Sequence, residues 1–320
     1  MLRGNLILAV CFLPLPVLAG CGATAQSNAG TAPANLQGIL VTSPALLDLC
    51  TAFLEGTESV RLVVPDVVNS RDWRPTRTAI EKLQRGRLLV LSGADWEPWL
   101  QQISFPQSRL LDVSEGLEER LIHLPDVETH RHGSGGLHSH PGYVSQTWLS
   151  AGMLLQQLQA LELLLAQRLP QLEPANADVN SGAARMREQL RELSAETKRL
   201  QDRWSELSLQ VVSDGPEYEY LLRDLGWQSV RLHWPRGEEP SESDWQELQT
   251  ALDTREDSSQ ALILLHAGRA ESTAVKLREQ GVQVVRIDLC ELLDAEHSVV
   301  QRLHGNLQRL SIALDELAQP

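Results

Sequence analysis

The chain has 320 residues and a formal net charge of −14, with 42 % hydrophobic and 22 % charged residues. Such an acidic balance excludes the phosphate backbone of nucleic acid as a partner and makes a cation the more natural ligand. After the leader described below, about 285 residues remain, enough for two lobes with cores of their own.

Arg3 begins a positive n-region, and residues 6–18 form an apolar stretch broken by Pro14 and Pro16. It is too short to span a bilayer and ends in Leu18-Ala19-Gly20-Cys21, which resembles the bacterial lipobox. The expectation is a signal peptide over residues 1–20 with Cys21 lipidated and anchored to the membrane. Residues 21–35, rich in Gly, Ala, Ser, Thr and Asn, read as a flexible tether. The leader carries Cys11, which leaves two further cysteines, Cys50 and Cys290, in a compartment where disulfides form; their pairing stays open against two buried thiols.

From residue 36 short apolar runs alternate with amphipathic stretches. Strands are expected at 39–41, 60–64, 88–91 and 110–113, and helices at 44–54, 76–84 and 96–103. The rhythm returns later, with strands at 209–212, 230–233, 261–265 and 282–287. A helix at 244–252 follows the cap residues Ser241 and Ser243, and a closing helix is expected over 291–317. Apolar strands alternating with helices imply parallel sheets covered on both faces. Between the halves, residues 148–169 carry leucines on more than one face, the pattern of a helix buried between other elements, and Pro170 stops it. A second long helix over 179–207 has one apolar stripe and a solvated Arg/Glu face. The expected fold class is α/β, with two lobes, each a mostly parallel sheet flanked by helices, joined by a long interlobe helix. The divisions are 36–146 for the N-terminal lobe, with a His-rich loop at 128–142, 147–170 for the interlobe helix, and 171–320 for the C-terminal lobe with its leading long helix.

Four of the nine histidines fall in that one loop: His130, His132, His138 and His140, two His-x-His pairs separated by a Gly-rich hinge. Neutral imidazole is a good zinc ligand, and flexible glycines could bring the pairs together. No Gly-x-Ser-x-Gly, P-loop, Gly-x-Gly-x-x-Gly or His-Glu-x-x-His pattern occurs, so a binding protein is expected and not an enzyme.

The segment from His130 to Leu149, ending Thr147-Trp148-Leu149, resembles the His-rich loop of zinc- or manganese-type ABC-transporter solute-binding lipoproteins. In the same order, Asp72-Trp73-Arg74-Pro75, Gly93-Ala94-Asp95-Trp96-Glu97-Pro98-Trp99-Leu100, the stretch Ser213 to Gly226, His233-Trp234-Pro235 and Val285-Arg286-Ile287-Asp288-Leu289 resemble further steps of that family. The resemblance implies a metal receptor that closes two lobes on its cargo, zinc or manganese, and hands it to an ABC permease as a monomer. It also implies a site of three His and one carboxylate. Carried over, the His positions fall on Arg71, Gln146 and Gly215, and only the carboxylate, Asp288, is kept. An Arg repels a dication, Gln offers a neutral amide and Gly no side chain. The expectation is therefore zinc held by the four loop histidines with Asp288, and His233 or His266 as further candidates. The alternatives are a cleft for a metal chelate or a small anion paired to Arg71, or a degenerate receptor acting as an interaction module.

Overall fold

The computed structural model describes residues 38–55, 59–124, 142–169, 181–205, 207–254 and 260–318. Cys21 and the four loop histidines lie outside the described residues.

The first lobe holds β1 (Ile39–Val41), α1 (Pro44–Leu54), β2 (Val60–Leu62), α2 (Arg77–Leu83), β3 (Leu88–Leu91) and β4 (Leu110–Asp112). Its four strands are all parallel in the order β2-β1-β3-β4. Strands β1 and β3 are buried on both faces and read as unbroken apolar runs. Ser43 starts α1 by accepting from the Leu46 amide, with Pro44 in the first turn, and Thr76 caps α2 in the same way.

The helix expected over 96–103 is a 3-10 turn, Pro98–Gln102. Three successive residues, Gly93, Ala94 and Asp95, have φ of 69°, 48° and 62°. They wrap the chain round the Glu97 carboxylate, which accepts from the Ser92 and Gly93 amides. An α-helix cannot begin until that loop is complete.

Next come α3 (Ala151–Arg168) and α4 (Gly182–Trp204). Trp148, just before α3, donates its indole N–H to the Leu289 carbonyl of the second lobe at 2.7 Å, while Arg168 at the other end reaches the Ser108 carbonyl of the first. Helix α4 runs the opposite way. Its first residue, Gly182, sits so close to α1 that a Cβ there would lie 2.4 Å from the Ala52 carbonyl oxygen, and its amide is taken by Glu55. Its far end packs with α5 and α8 in the second lobe. At about 1.5 Å per residue, 18 and 23 residues span roughly 27 and 35 Å, long enough to serve both lobes. One continuous apolar core joins Ile39 and Val41 of β1, Leu158 and Leu161 of α3, Leu190 of α4, and Val211, Leu262 and Val285 beyond.

The second lobe holds β5 (Leu209–Ser213), α5 (Glu219–Leu225), β6 (Ser229–Arg231), α6 (Glu242–Asp253), β7 (Gln260–His266), α7 (Glu271–Glu279), β8 (Gln283–Ile287) and α8 (Val299–Leu317). Its strands are again all parallel, in the order β6-β5-β7-β8. The molecule is thus α/β with two parallel sheets flanked by helices. Capping boxes start α6 (Ser241 with Asp244) and α8 (Ser298 with Gln301). The closing helix begins at Val299 and not at residue 291. Cys290 takes φ 55°, and the Asp288 carboxylate accepts the Cys290 amide, so the chain turns away before the helix starts.

Candidate functional site: the interlobe junction

In parallel sheets the carboxyl ends of the strands carry the ligand-binding loops. At the end of β5, Asp214 is buried and fully engaged. It accepts from the Tyr218 hydroxyl at 2.6 Å, the His266 amide at 3.3 Å and the Arg269 Nε at 2.7 Å. Arg269 also donates to the carbonyls of Pro235 (3.3 Å) and Glu238 (2.9 Å) and lies over the Trp234 ring. It thereby grips both sides of a turn that needs Gly237, at φ 73°, for its left-handed residue. Arg236 projects from this turn. Its Nε meets Glu217 Oε1 at 2.9 Å, and its two terminal nitrogens meet Glu291 at 2.8 and 3.1 Å.

The first lobe contributes Gln146, Ser145 and Arg71. Gln146, buried, donates its amide N–H to Glu291 Oε1 at 2.8 Å, and Ser145 accepts from Arg71 at 3.4 Å. The Gln146–Glu291 bond crosses the junction between the lobes. Burial pushes the Glu217 carboxyl up, with Arg236 opposing it; burial and then Arg236 push the His266 imidazole down, toward its neutral form. Burial disfavours the Arg236 charge, but the carboxylates of Glu291 and Glu217 outweigh it and raise its pKa.

The sequence-predicted residues meet different fates. Gln146 and Gly215 stand at the junction, and Arg71 stands beside it through Ser145. His266 ends β7, with Asp214, Arg236 and Glu291 acting on its ring. His233 is on the surface, its Nδ1 2.8 Å from Glu247. Asp288 is engaged within its own lobe. Arg302 takes both its oxygens at 2.7 Å and the Cys290 amide takes one. Burial opposes its charge, yet these donors hold the carboxyl below its ordinary value. The carboxylate that faces the other lobe is Glu291. Cys50 and Cys290 are buried free thiols, and burial pushes both pKa values up. Among the described residues no three His, Cys, Asp or Glu side chains converge to hold a metal ion. The two flanks of the His-rich loop are held together. His123 and Tyr143 form an antiparallel bridge with rings 4.4 Å apart, and the Leu124 amide donates to the Gly142 carbonyl.

Residues 39–312 match the profile of the periplasmic zinc-uptake complex component A family. The chain belongs to that family. Its members are solute-binding proteins and not enzymes. A putative metal-binding protein of Treponema pallidum is 24 % identical over 291 residues, covering 88 % of both chains. The metal-dependent lipoprotein YcdH of Bacillus subtilis has the same fold at TM-score 0.66 and 17 % identity, over 87 % of this chain and 99 % of that one. FpvC of Pseudomonas aeruginosa, solved in complex with Mn2+, matches at TM-score 0.68 and 19 % identity, over 89 % and 100 %.

Within this zinc-uptake family chain, sequence reading missed Glu217, Arg236, Arg269 and Glu291. Glu291 is hidden in the sequence because residues 291–298 continue into the apolar stripe of a closing helix that begins only at Val299. Arg236 follows Trp234-Pro235, and the Gly after it signals a turn, but no pattern says where the guanidinium points. Glu217 and Glu291 lie 74 positions apart and meet only through the fold.

Proposed function

We propose that this chain is the extracytoplasmic, lipid-anchored metal-capturing component of an ABC-type uptake system, and that zinc is its cargo, taken by His130, His132, His138 and His140. The observation that carries the reading is the seat of the His-rich loop. Its flanks are joined at the His123–Tyr143 bridge, and Gly142 lies four positions before Gln146, the first lobe's contact at the junction. Family membership supports metal as the class of cargo. The zinc and manganese in related structures, AdcA with Zn(II) and FpvC with Mn2+, support a divalent ion, and four imidazoles favour zinc over manganese.

Imidazole must be neutral to ligate, so zinc affinity falls as pH drops through about 6.5. The test is zinc titration of the untagged mature protein against a competing chelator. Replacing the four loop histidines by Ala abolishes most zinc uptake, while Arg71→Ala leaves it intact. Failure of the wild-type protein to bind zinc at micromolar free metal refutes the reading. For the anchor, Cys21→Ser moves the protein out of the membrane fraction or leaves its precursor uncleaved; processed, membrane-bound Cys21→Ser protein refutes lipidation.

A further inference from the structure

Four side chains at the junction satisfy one another without an outside ligand. Glu217 and Glu291 approach Arg236 from two sides, at 2.9 Å and at 2.8 and 3.1 Å, and Gln146 of the first lobe reaches the same Glu291. Both carboxylates are largely buried, at 14 and 7 % side-chain exposure, and Arg236 keeps 34 %. Two carboxylates facing one point are the oxygen donors a divalent cation takes, and Gln146 of the other lobe meets Glu291 with its amide N–H. Here a guanidinium fills the space between the acids.

The geometry around Gly215 supports the same exchange. A Cβ at residue 215 would lie 2.2 Å from Glu217 Oε2, so a side chain there would require the Glu217 carboxylate to shift. One Glu217 oxygen lies over Gly215 and the other meets Arg236. Arg236 is in turn held in place by buried contacts: Asp214 holds Arg269, and Arg269 holds the carbonyls of Pro235 and Glu238 on either side of it.

We propose that Arg236 is the resident cation of the junction and determines its specificity: its guanidinium takes the place of a divalent metal between Glu217 and Glu291, so the lobes close on an internal ion pair and the junction takes no metal. With Glu217 and Glu291 ionised, the cluster carries one net negative charge. An entering dication meets a guanidinium that cannot give up its proton, so it must expel Arg236 or face it. The neighbouring Asp214–Arg269 pair is neutral overall and offers no relief. The inference concerns the junction alone and does not depend on whether the loop binds zinc.

The test uses the full mature chain with all four loop histidines replaced by Ala, so that only the junction can respond. Manganese is the probe, because it accepts an oxygen-only set. Calorimetric titration and thermal melting of this protein show no manganese binding that depends on Glu217 or Glu291. Adding Arg236→Ala produces manganese binding at least tenfold tighter, with a metal-dependent rise in Tm, and Glu217→Gln or Glu291→Gln in that protein removes both. Arg236→Lys keeps a cation between the acids and gains no such binding. The proposal is overturned if the Arg236-intact protein binds manganese and Glu291→Gln abolishes it, or if a folded Arg236→Ala protein binds none. Should Arg236→Ala fail to fold, Arg236→Gln carries the same comparison, and the Arg236-intact arm decides independently.

Discussion

The two lobes share a strand order and an all-parallel sheet, yet they treat a buried carboxylate in opposite ways. In the first lobe Glu97 lies beyond the ends of β1 and β3. It accepts from the Thr42 hydroxyl and from the amides of Ser92 and Gly93. Its hydrogen bonds come from neutral donors alone, and burial outweighs them, pushing the carboxyl up to about 8. In the second lobe Asp214 follows β5, the counterpart of β1, and accepts from Tyr218, the His266 amide and the guanidinium of Arg269. The same topology thus buries an acid at the carboxyl end of each sheet. Whether that acid meets a cation depends on a loop outside the sheet. In the second lobe the turn that carries Arg236 supplies the cation that joins Glu217 and Glu291.

The largest effect is expected from breaking the charged side of this contrast. Arg269→Met strips Asp214 of its counter-ion in a site where both side chains are under 5 % exposed. It also frees the turn that carries Arg236. Removing one partner of a buried pair costs about 3–5 kcal/mol, and denaturant melts of the variant at neutral pH measure it. A loss below about 1 kcal/mol would mean that the pair is as dispensable as a surface ion pair.

A second measurement asks whether the lobes, so different at their junction, still fold as one unit. Leu158 of α3 is fully buried in the core that runs through both sheets. Leu158→Ala is expected to cost about 2–5 kcal/mol, with one cooperative transition shifted as a whole. Two separated transitions would show that the core is divided.

At a fixed pH of 5 the smallest effect belongs to the uncharged side, whose signature is a slope with pH. Glu97 has a folded-state pKa of about 8 against an ordinary value of 4.5. The folded protein therefore holds a proton that the unfolded chain releases between those values. The stabilisation is fully present below 4.5 and is lost as pH rises through about 8. Glu97→Gln imitates the protonated acid, loses the Gly93 amide contact and costs about 1 kcal/mol at pH 5. Its stability then declines less between pH 5 and 8.5 than that of the wild type. Parallel pH profiles for the two proteins would contradict a neutral Glu97.

Much of the scaffold is legible in the amino-acid sequence. The expected strands at 39–41 and 88–91 and the helix at 44–54 coincide with β1, β3 and α1, because unbroken apolar runs and a Ser-Pro cap are local signals. The departures at Arg71, Gln146 and Gly215 were also readable, since residue identity alone says which groups can ligate. The sequence could not say what fills the site instead. Arg236 meets Glu291 across 55 positions and Gln146 meets Glu291 across 145. Such pairs have no periodicity and no local propensity. They exist because β5, β7 and β8 bring their carboxyl ends to one place, and because the turn at Cys290 points Glu291 at the other lobe and away from α8. Local sequence determined the elements and which of the usual ligand positions cannot ligate, and tertiary structure alone decided that a guanidinium lies between Glu217 and Glu291.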